Sequence, residues 1–371
     1  MNNPLIELKE FGQSVWLDNI SRAILNNNEL KNLIDNDGIA GVTSNPSIFQ
    51  KAMADTSDYD EQINSLLSDN NNLSPAELFE ELAIKDIQNA ADVLRSVYDT
   101  TNGVDGFVSL EVSPELAYNT QETIEEARRL FDKLGRKNVL IKIPATQEGL
   151  PAIEQMIYEG VNINVTLIFS PSVYEQVIDA YLKGLERRVE EGKNIDSISS
   201  VASFFVSRID TAVDKELEQI GNKDLQGKIA IANARLVYQN SERIFSEERF
   251  NNLKNKGAKI QRLLWASTST KNHAYTDTLY VTELVGKNTV NTIPPATMAA
   301  FKDHGKVSDA IHKNLNEAEE QMKALAALSI DFNKITSKLT IEGVDLFVQS
   351  FKKLISAIKV KKDKMTSKLI S

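Results

Sequence analysis

Val139-Leu140-Ile141-Lys142-Ile143-Pro144-Ala145-Thr146-Gln147-Glu148-Gly149 opens as an aliphatic run with one lysine in its middle. Apolar residues that do not alternate with polar ones describe a parallel strand buried on both faces. Lys142 is out of place on such a strand. As a cation it costs several kcal/mol unless it is paired or gives up its proton. A lysine amine kept neutral in an apolar pocket is a nucleophile suited to Schiff-base chemistry with a carbonyl. The other reading is a strand-end lysine whose stem is buried while its ammonium reaches water. The neighbouring strands decide between the two.

Outward from this stretch, strand-like runs recur at residues 14–18, 38–43, 106–111, 161–169, 200–205, 262–266 and 289–293. Segments of helical period lie between them, at 19–36, 75–98, 114–134, 149–159, 171–191, 209–219 and 229–256. Strands alternating with helices indicate βαβ units and a parallel sheet. Eight such units predict an α/β fold, a (β/α)8 TIM barrel whose functional residues gather at the C-terminal strand ends. The long interval 44–105 holds an Asn/Ser/Asp-rich break at 68–74 and then Pro75, a helix opener. It reads as a helical insertion at about 50–100 on the barrel surface. The tail, 307–371, reads as two further amphipathic helices, 340–358 being the clearer, with a basic end at 359–364 expected to fray. No Pro/Gly/Ser-rich linker divides the chain, so a single domain over residues 1–371 is expected.

The balance of 42 Lys plus Arg against 52 Asp plus Glu gives a net charge of −10. That sign opposes a nucleic-acid backbone or an anionic membrane as partner, yet leaves small phosphorylated substrates open, since a few convergent cations suffice for those. With no cysteine there is no disulfide framework, thiolate metal site or thiol nucleophile. The first ten residues do not read as a signal peptide, and no apolar run approaches the ~20 residues that span a bilayer. The cytoplasm is the expected compartment. His273, His304 and His312 lack metal-ligand spacing and read as solvated or capping residues.

The first five strands deliver polar groups at or near their C-terminal ends: Asp18, then Thr43-Ser44-Asn45, Glu111, Lys142 with Thr146, and Asn164 with Thr166. Each has a plainer reading. Asp18 could cap a helix starting at Asn19, and Asn45 before Pro46 is turn chemistry in its own right. Asn164 and Thr166, two apart and so on one strand face, could serve only backbone groups. Glu111 follows a largely apolar run, where a solvated carboxylate is less natural. Around one lysine these residues supply a nucleophile, carboxylates to shuttle protons and neutral donors to orient hydroxyls. Ser203, Phe205 and Arg208 at the end of strand six, and Lys271 after strand seven, form a candidate anion clamp. The alternative for Arg208 is an ion pair with Asp210 or Asp214.

Two motifs carry a family resemblance. Gly41-Val42-Thr43-Ser44-Asn45-Pro46-Ser47-Ile48-Phe49 resembles the transaldolase signature around the second strand. Residues 139–146 resemble the signature around that family's Schiff-base lysine, and 162–170 are similar as well. The likeness runs from about Gln13 to Ala300, and the chain length resembles the longer bacterial branch. It implies that Lys142 forms an imine with a ketose, that Asp18 moves a proton during carbon–carbon cleavage, and that Glu111 acts through a water near Thr166. It also implies that Asn45 and Asn164 bind hydroxyls of the dihydroxyacetone unit, with Thr43 beside them. Ser203, Arg208 and the cation after strand seven would hold phosphate. That cation is commonly arginine in the family, and Lys271 supplies the charge without the planar fork. The implied reaction moves dihydroxyacetone from sedoheptulose 7-phosphate to glyceraldehyde 3-phosphate, with no metal and no organic cofactor.

Two rival readings remain at this stage. One is a fructose 6-phosphate aldolase of the same superfamily, whose members are shorter and tend to carry tyrosine where Phe205 stands. The other is a barrel that binds sugar phosphates without catalysis, against which Lys142, Glu111 and Asp18 argue together. The expected assembly is a monomer or a homodimer, with the tail helices a candidate interface.

Overall fold

The computed structural model describes residues 3–54 and 56–370. Eight parallel strands close into a barrel in chain order: β1 (Gln13–Leu17), β2 (Gly41–Val42), β3 (Phe107–Glu111), β4 (Val139–Pro144), β5 (Ile163–Ile168), β6 (Ser200–Phe205), β7 (Arg262–Ala266) and β8 (Thr289–Ile293). This is the (β/α)8 architecture expected from the alternation of patterns. Every residue of β4, β5 and β6 is buried, which is why these strands read as continuous apolar runs. The register sets Glu111 opposite Lys142 and Lys142 opposite Asn164, so three functional candidates share one layer across three strands.

The N-terminal end of the barrel is closed by a paired cluster. Asp105 accepts from Arg262 at 2.8 Å, from the Trp16 indole at 3.0 Å and from Ser14 at 2.7 Å. A buried carboxylate with this many donors is satisfied, and the opposite end is left to carry chemistry.

Helix boundaries depart from the periodicity at several points. The expected 19–36 helix is two, Arg22–Asn26 and Glu29–Asp37, because Asn28 adopts a left-handed φ of 63° between them. Likewise, 75–98 breaks at Leu94 into Pro75–Val93 and Arg95–Thr100, and 229–256 breaks into Ile229–Ile244 and Glu248–Lys254. Residues 114–134 begin as a 3-10 turn, Pro114–Leu116, and become α-helical only at Thr120–Leu134. Apolar period carries across such breaks, since both halves pack on the same core.

The insertion is anchored by a buried ion pair. Arg22 Nε meets Asp86 Oδ1 at 2.5 Å, and Tyr59 donates to Asp86 Oδ2 at 2.8 Å. The tail holds Leu315–Ala327 and one long helix, Phe332–Ile370. Residues 359–364, expected to fray, lie within that helix: Lys361 bonds Thr56 O and Lys362 bonds Leu73 O, tying it to the insertion. Further back, Ser350 Oγ lies 2.8 Å from Ser47 Oγ. At Gly343 a Cβ would fall 2.8 Å from the end of the Leu167 side chain, so a larger residue there has to displace that side chain. Leu167 itself has φ 60° where the β5–β6 register shifts, a strained non-glycine backbone beside the site. Among the described residues no helix is long and apolar enough to cross a membrane.

Candidate active site

At the C-terminal end of the barrel lies a chamber of about 630 Å³. Asp18, Thr43, Asn45, Lys142, Thr166, Ser203, Phe205, Arg208 and Lys271 all line it, so nine of the eleven residues singled out by sequence converge. Glu111 and Asn164 stand just behind its wall.

Lys142 is 5% exposed, which removes the snorkelling reading. Nor is its surrounding apolar: Nζ donates to Ser44 O at 2.9 Å and lies 3.4 Å from Glu111 Oε2. That ion-pair contact is not a hydrogen bond, and Glu111 Oε2 has no hydrogen-bonding partner. Burial pushes the Glu111 carboxyl above the ordinary carboxylate range, with the Lys142 charge opposing. Thr166 Oγ1 is likewise buried without a partner. Two orphaned polar atoms beside one amine are unusual in a folded core, and they mark where a reacting group or water would bond.

Asp18 is not a helix cap. The next helix starts at Arg22, and its cap is Ser21, which accepts from Ile24 N. The carboxylate instead accepts from Thr43 Oγ1 at 2.8 Å, and Thr43 Oγ1 lies 2.6 Å from Thr292 Oγ1. Because Thr43 gives its one proton to Asp18, Thr292 donates to Thr43, and the relay fixes the carboxylate's orientation. Burial raises the Asp18 pKa, with the Thr43 bond and the Lys142 charge opposing. A carboxyl that keeps its proton to higher pH is suited to acid–base work near neutrality.

Asn45 serves both readings: Oδ1 caps the Pro46–Met53 helix by accepting from Ile48 N at 3.0 Å, and the residue lines the chamber. Asn164 is fully buried between Ser109 Oγ, to which it donates at 3.0 Å, and Ser203 Oγ, from which it accepts at 2.7 Å.

On the far wall, Arg208 has no carboxylate within ion-pairing distance among the described residues. Asp210 is occupied by Ala230 N and Tyr280 OH, and Asp214 by Gly227 N and Tyr275 OH. Burial lowers the Arg208 pKa, and the Lys271 pKa is lowered by burial and then by Arg208 and Lys51. Arg208, Lys271 and Lys51 line one chamber with no carboxylate in ion-pairing distance among the described residues, which makes it an anion site. The Arg208 guanidinium also lies 5.3 Å over the Phe205 ring, which in turn packs 5.3 Å from Phe169.

Sequence reasoning missed three contributors. Lys51, on the Pro46–Met53 helix, lines the chamber, and only its place nearly two turns beyond the Asn45 cap hinted at this. Thr292, in β8, could have been found as an inward polar residue at a strand's end. Phe347, from the C-terminal helix, stands with its ring 5.9 Å from Lys142 Nζ, and nothing local to it signals the barrel mouth. Two of the three histidines make surface pairs, His304 with Asp277 and Asp303, His312 with Asp309 and Glu242. Among the described residues no group of three or more His, Asp and Glu is disposed to hold a metal ion.

A family model described as transaldolase/fructose-6-phosphate aldolase matches residues 15–358. A "Transaldolase 2" of a Nostoc species is 47% identical over 373 residues, covering 97% of each chain. Transaldolases of Trichodesmium erythraeum and Acidothermus cellulolyticus are 44% and 48% identical, each covering 96% or more of both chains.

Proposed function

The chain belongs to the transaldolase/fructose-6-phosphate aldolase family, and from that premise we propose that it transfers a dihydroxyacetone unit from sedoheptulose 7-phosphate to glyceraldehyde 3-phosphate through an imine on Lys142. The observation that carries the reading is the buried Lys142 amine with Glu111, Asp18 and Thr166 grouped around it at the barrel mouth.

In this reading Lys142 adds to the ketone of the donor. Glu111, working through a water bonded to the free Thr166 hydroxyl, protonates the carbinolamine hydroxyl so that it leaves as water. The iminium then accepts the electron pair released as the C3–C4 bond breaks, while Asp18 takes the proton from the C4 hydroxyl. The aldehyde acceptor adds to the same carbon, and the steps reverse. Asn45 offers its amide protons to donor hydroxyls. Asn164 keeps one amide proton for the dihydroxyacetone unit and holds Ser203 in place. Arg208 and Lys271 take the phosphate, and Ser203 joins them by turning its proton from Asn164 to a phosphate oxygen.

The fructose 6-phosphate aldolase reading, in which dihydroxyacetone is released, is disfavoured by Phe205, which has no hydroxyl to orient a hydrolytic water. The enzyme works as one catalytic domain in the cytoplasm, as a monomer or homodimer, on small sugar phosphates.

The test is borohydride reduction with fructose 6-phosphate, followed by peptide mass mapping. A sugar-derived mass on the peptide containing Lys142, lost in Lys142→Ala, is expected. An adduct on Lys271 or Lys51 would move the chemistry to another wall. No adduct in folded, sugar-binding protein would leave a binding protein.

A further inference from the structure

A second cavity, about 260 Å³, lies behind the chamber between the Pro46–Met53, Pro75–Val93 and Thr120–Leu134 helices, and Glu111 lines this rear cavity and not the front one. The Glu111 side chain is 5% exposed and its Oε2 has no hydrogen-bonding partner. That oxygen faces Lys142 Nζ at 3.4 Å, while Glu111 as a residue lines the rear cavity, so the carboxyl group stands between that cavity and the reacting amine. Ser44, Asn45 and Ser113 continue the polar lining outward. At the far end stand residues open to solvent, Glu77, Glu115 and the bidentate Arg129–Glu80 pair, so the cavity reaches the surface. Three aromatic rings stand in the wall: Phe49 meets Phe79 edge-on at 5.6 Å, and Phe79 meets Phe351 at 5.8 Å. Such a passage admits water, and its five glutamates against one arginine oppose an anionic sugar phosphate. The C-terminal helix roofs both spaces, Phe347 over Lys142 in front and Phe351, one turn on, behind.

We propose that the rear cavity is the water passage of Glu111, through which the water made and used in imine chemistry exchanges with solvent while the sugar fills the front chamber. The inference rests on the Schiff-base reading above. Dehydration breaks the C2–O bond of the carbinolamine: the nitrogen lone pair forms the C=N bond, the Glu111 proton goes to the departing oxygen, and water is left beside the carboxylate. Hydrolysis forms a new C2–O bond from water and returns the proton to Glu111. The donor fills the front chamber while the carbinolamine dehydrates, so the rear cavity gives the departing oxygen a route that does not pass the sugar.

The test runs the transfer from fructose 6-phosphate to erythrose 4-phosphate in H₂¹⁸O and measures the C2 oxygen of the seven-carbon product by mass spectrometry. Ala83, at the wall on Pro75–Val93, is replaced by Leu to plug the passage, and Leu130→Phe narrows it from the neighbouring helix. The wild type is expected to introduce solvent oxygen at every turnover. Either folded variant should retain donor oxygen in part of its product, with a fall in kcat and little change in KM. General damage to the fold would slow turnover without altering the isotope ratio. Full solvent incorporation at unchanged kcat in both variants, or donor oxygen retained by the wild type, overturns the proposal. Borohydride trapping on the same samples separates the cases: an adduct without the isotope effect sinks the passage alone, and no adduct sinks the Schiff-base reading with it.

Discussion

Lys142 Nζ and Glu111 Oε2 lie 3.4 Å apart on adjacent strands, locked opposite one another by the β3–β4 register. Both are buried, and Glu111 is held above its ordinary pKa by that burial. A proton passing between them never has to cross bulk water. Glu111→Gln keeps the shape and removes the acid. It is expected to lower kcat by about 10²–10⁴-fold, the usual worth of a positioned acid–base group, while Lys142 still forms a borohydride-trapped adduct at a reduced rate. Unchanged kcat would assign proton transfer to another group, with Asp18 the next candidate.

Arg208 and Lys271 face the chamber without carboxylate partners among the described residues, so their loss should appear only with substrates that bring an anion. Arg208→Ala is expected to raise KM for phosphorylated aldehyde acceptors by about 10–100-fold, the worth of one or two charge-assisted hydrogen bonds. KM for unphosphorylated glyceraldehyde should stay nearly constant. Lys271→Arg should lower KM for the phosphorylated acceptor, since it restores the planar fork. Equal effects on both acceptors would mean these residues shape the wall and do not bind phosphate.

What was legible in the chain followed physical scale. The barrel could be read because each strand is a short apolar run with a polar residue at its end, and β4 to β6 are buried throughout. Lys142, Asp18 and Thr166 could be read because a polar residue inside such a run needs a reason. Phe347 and Lys51 could not, since they reach the site through the packing of whole helices, and an aromatic or a lysine on an amphipathic helix carries no local sign of where that helix lies. The basic end of the tail was misread for the same reason: Lys361 and Lys362 look solvated in sequence and are tied down by carbonyls of the insertion about 300 residues away. Asn28 broke a helix the periodicity had joined, because its left-handed φ leaves the apolar pattern intact on both sides.

Asp210, beside the anion wall, gives a pH-dependent prediction about stability. Burial, with Asp214 nearby, pushes its pKa to about 7, against hydrogen bonds from Ala230 N and Tyr280 OH. The folded state therefore keeps a proton that the unfolded chain releases near pH 4. The resulting stabilisation is fully present below about pH 4 and is lost as pH rises through about 7. Asp210→Asn does not titrate. Urea unfolding of both proteins between pH 4.5 and 8.5 should show the wild type losing about 1–4 kcal/mol relative to the variant as pH rises. A difference that stays flat across that range would mean Asp210 is ionised throughout.

Phe205 decides between keeping and releasing the three-carbon unit. Its ring lines the chamber between Phe169 and the Arg208 guanidinium, and tyrosine keeps that ring while adding one hydroxyl. A phenol there can orient a water toward the imine carbon, which phenylalanine cannot do. Phe205→Tyr is therefore expected to increase free dihydroxyacetone formed from fructose 6-phosphate relative to transfer onto an aldehyde, with borohydride trapping at Lys142 retained. The measurement is the ratio of the two products in one reaction, because a ratio is insensitive to general loss of active protein. If both products fall together, the ring is only packing, and the preference for transfer must come from how tightly the acceptor's phosphate is held by Arg208 and Lys271.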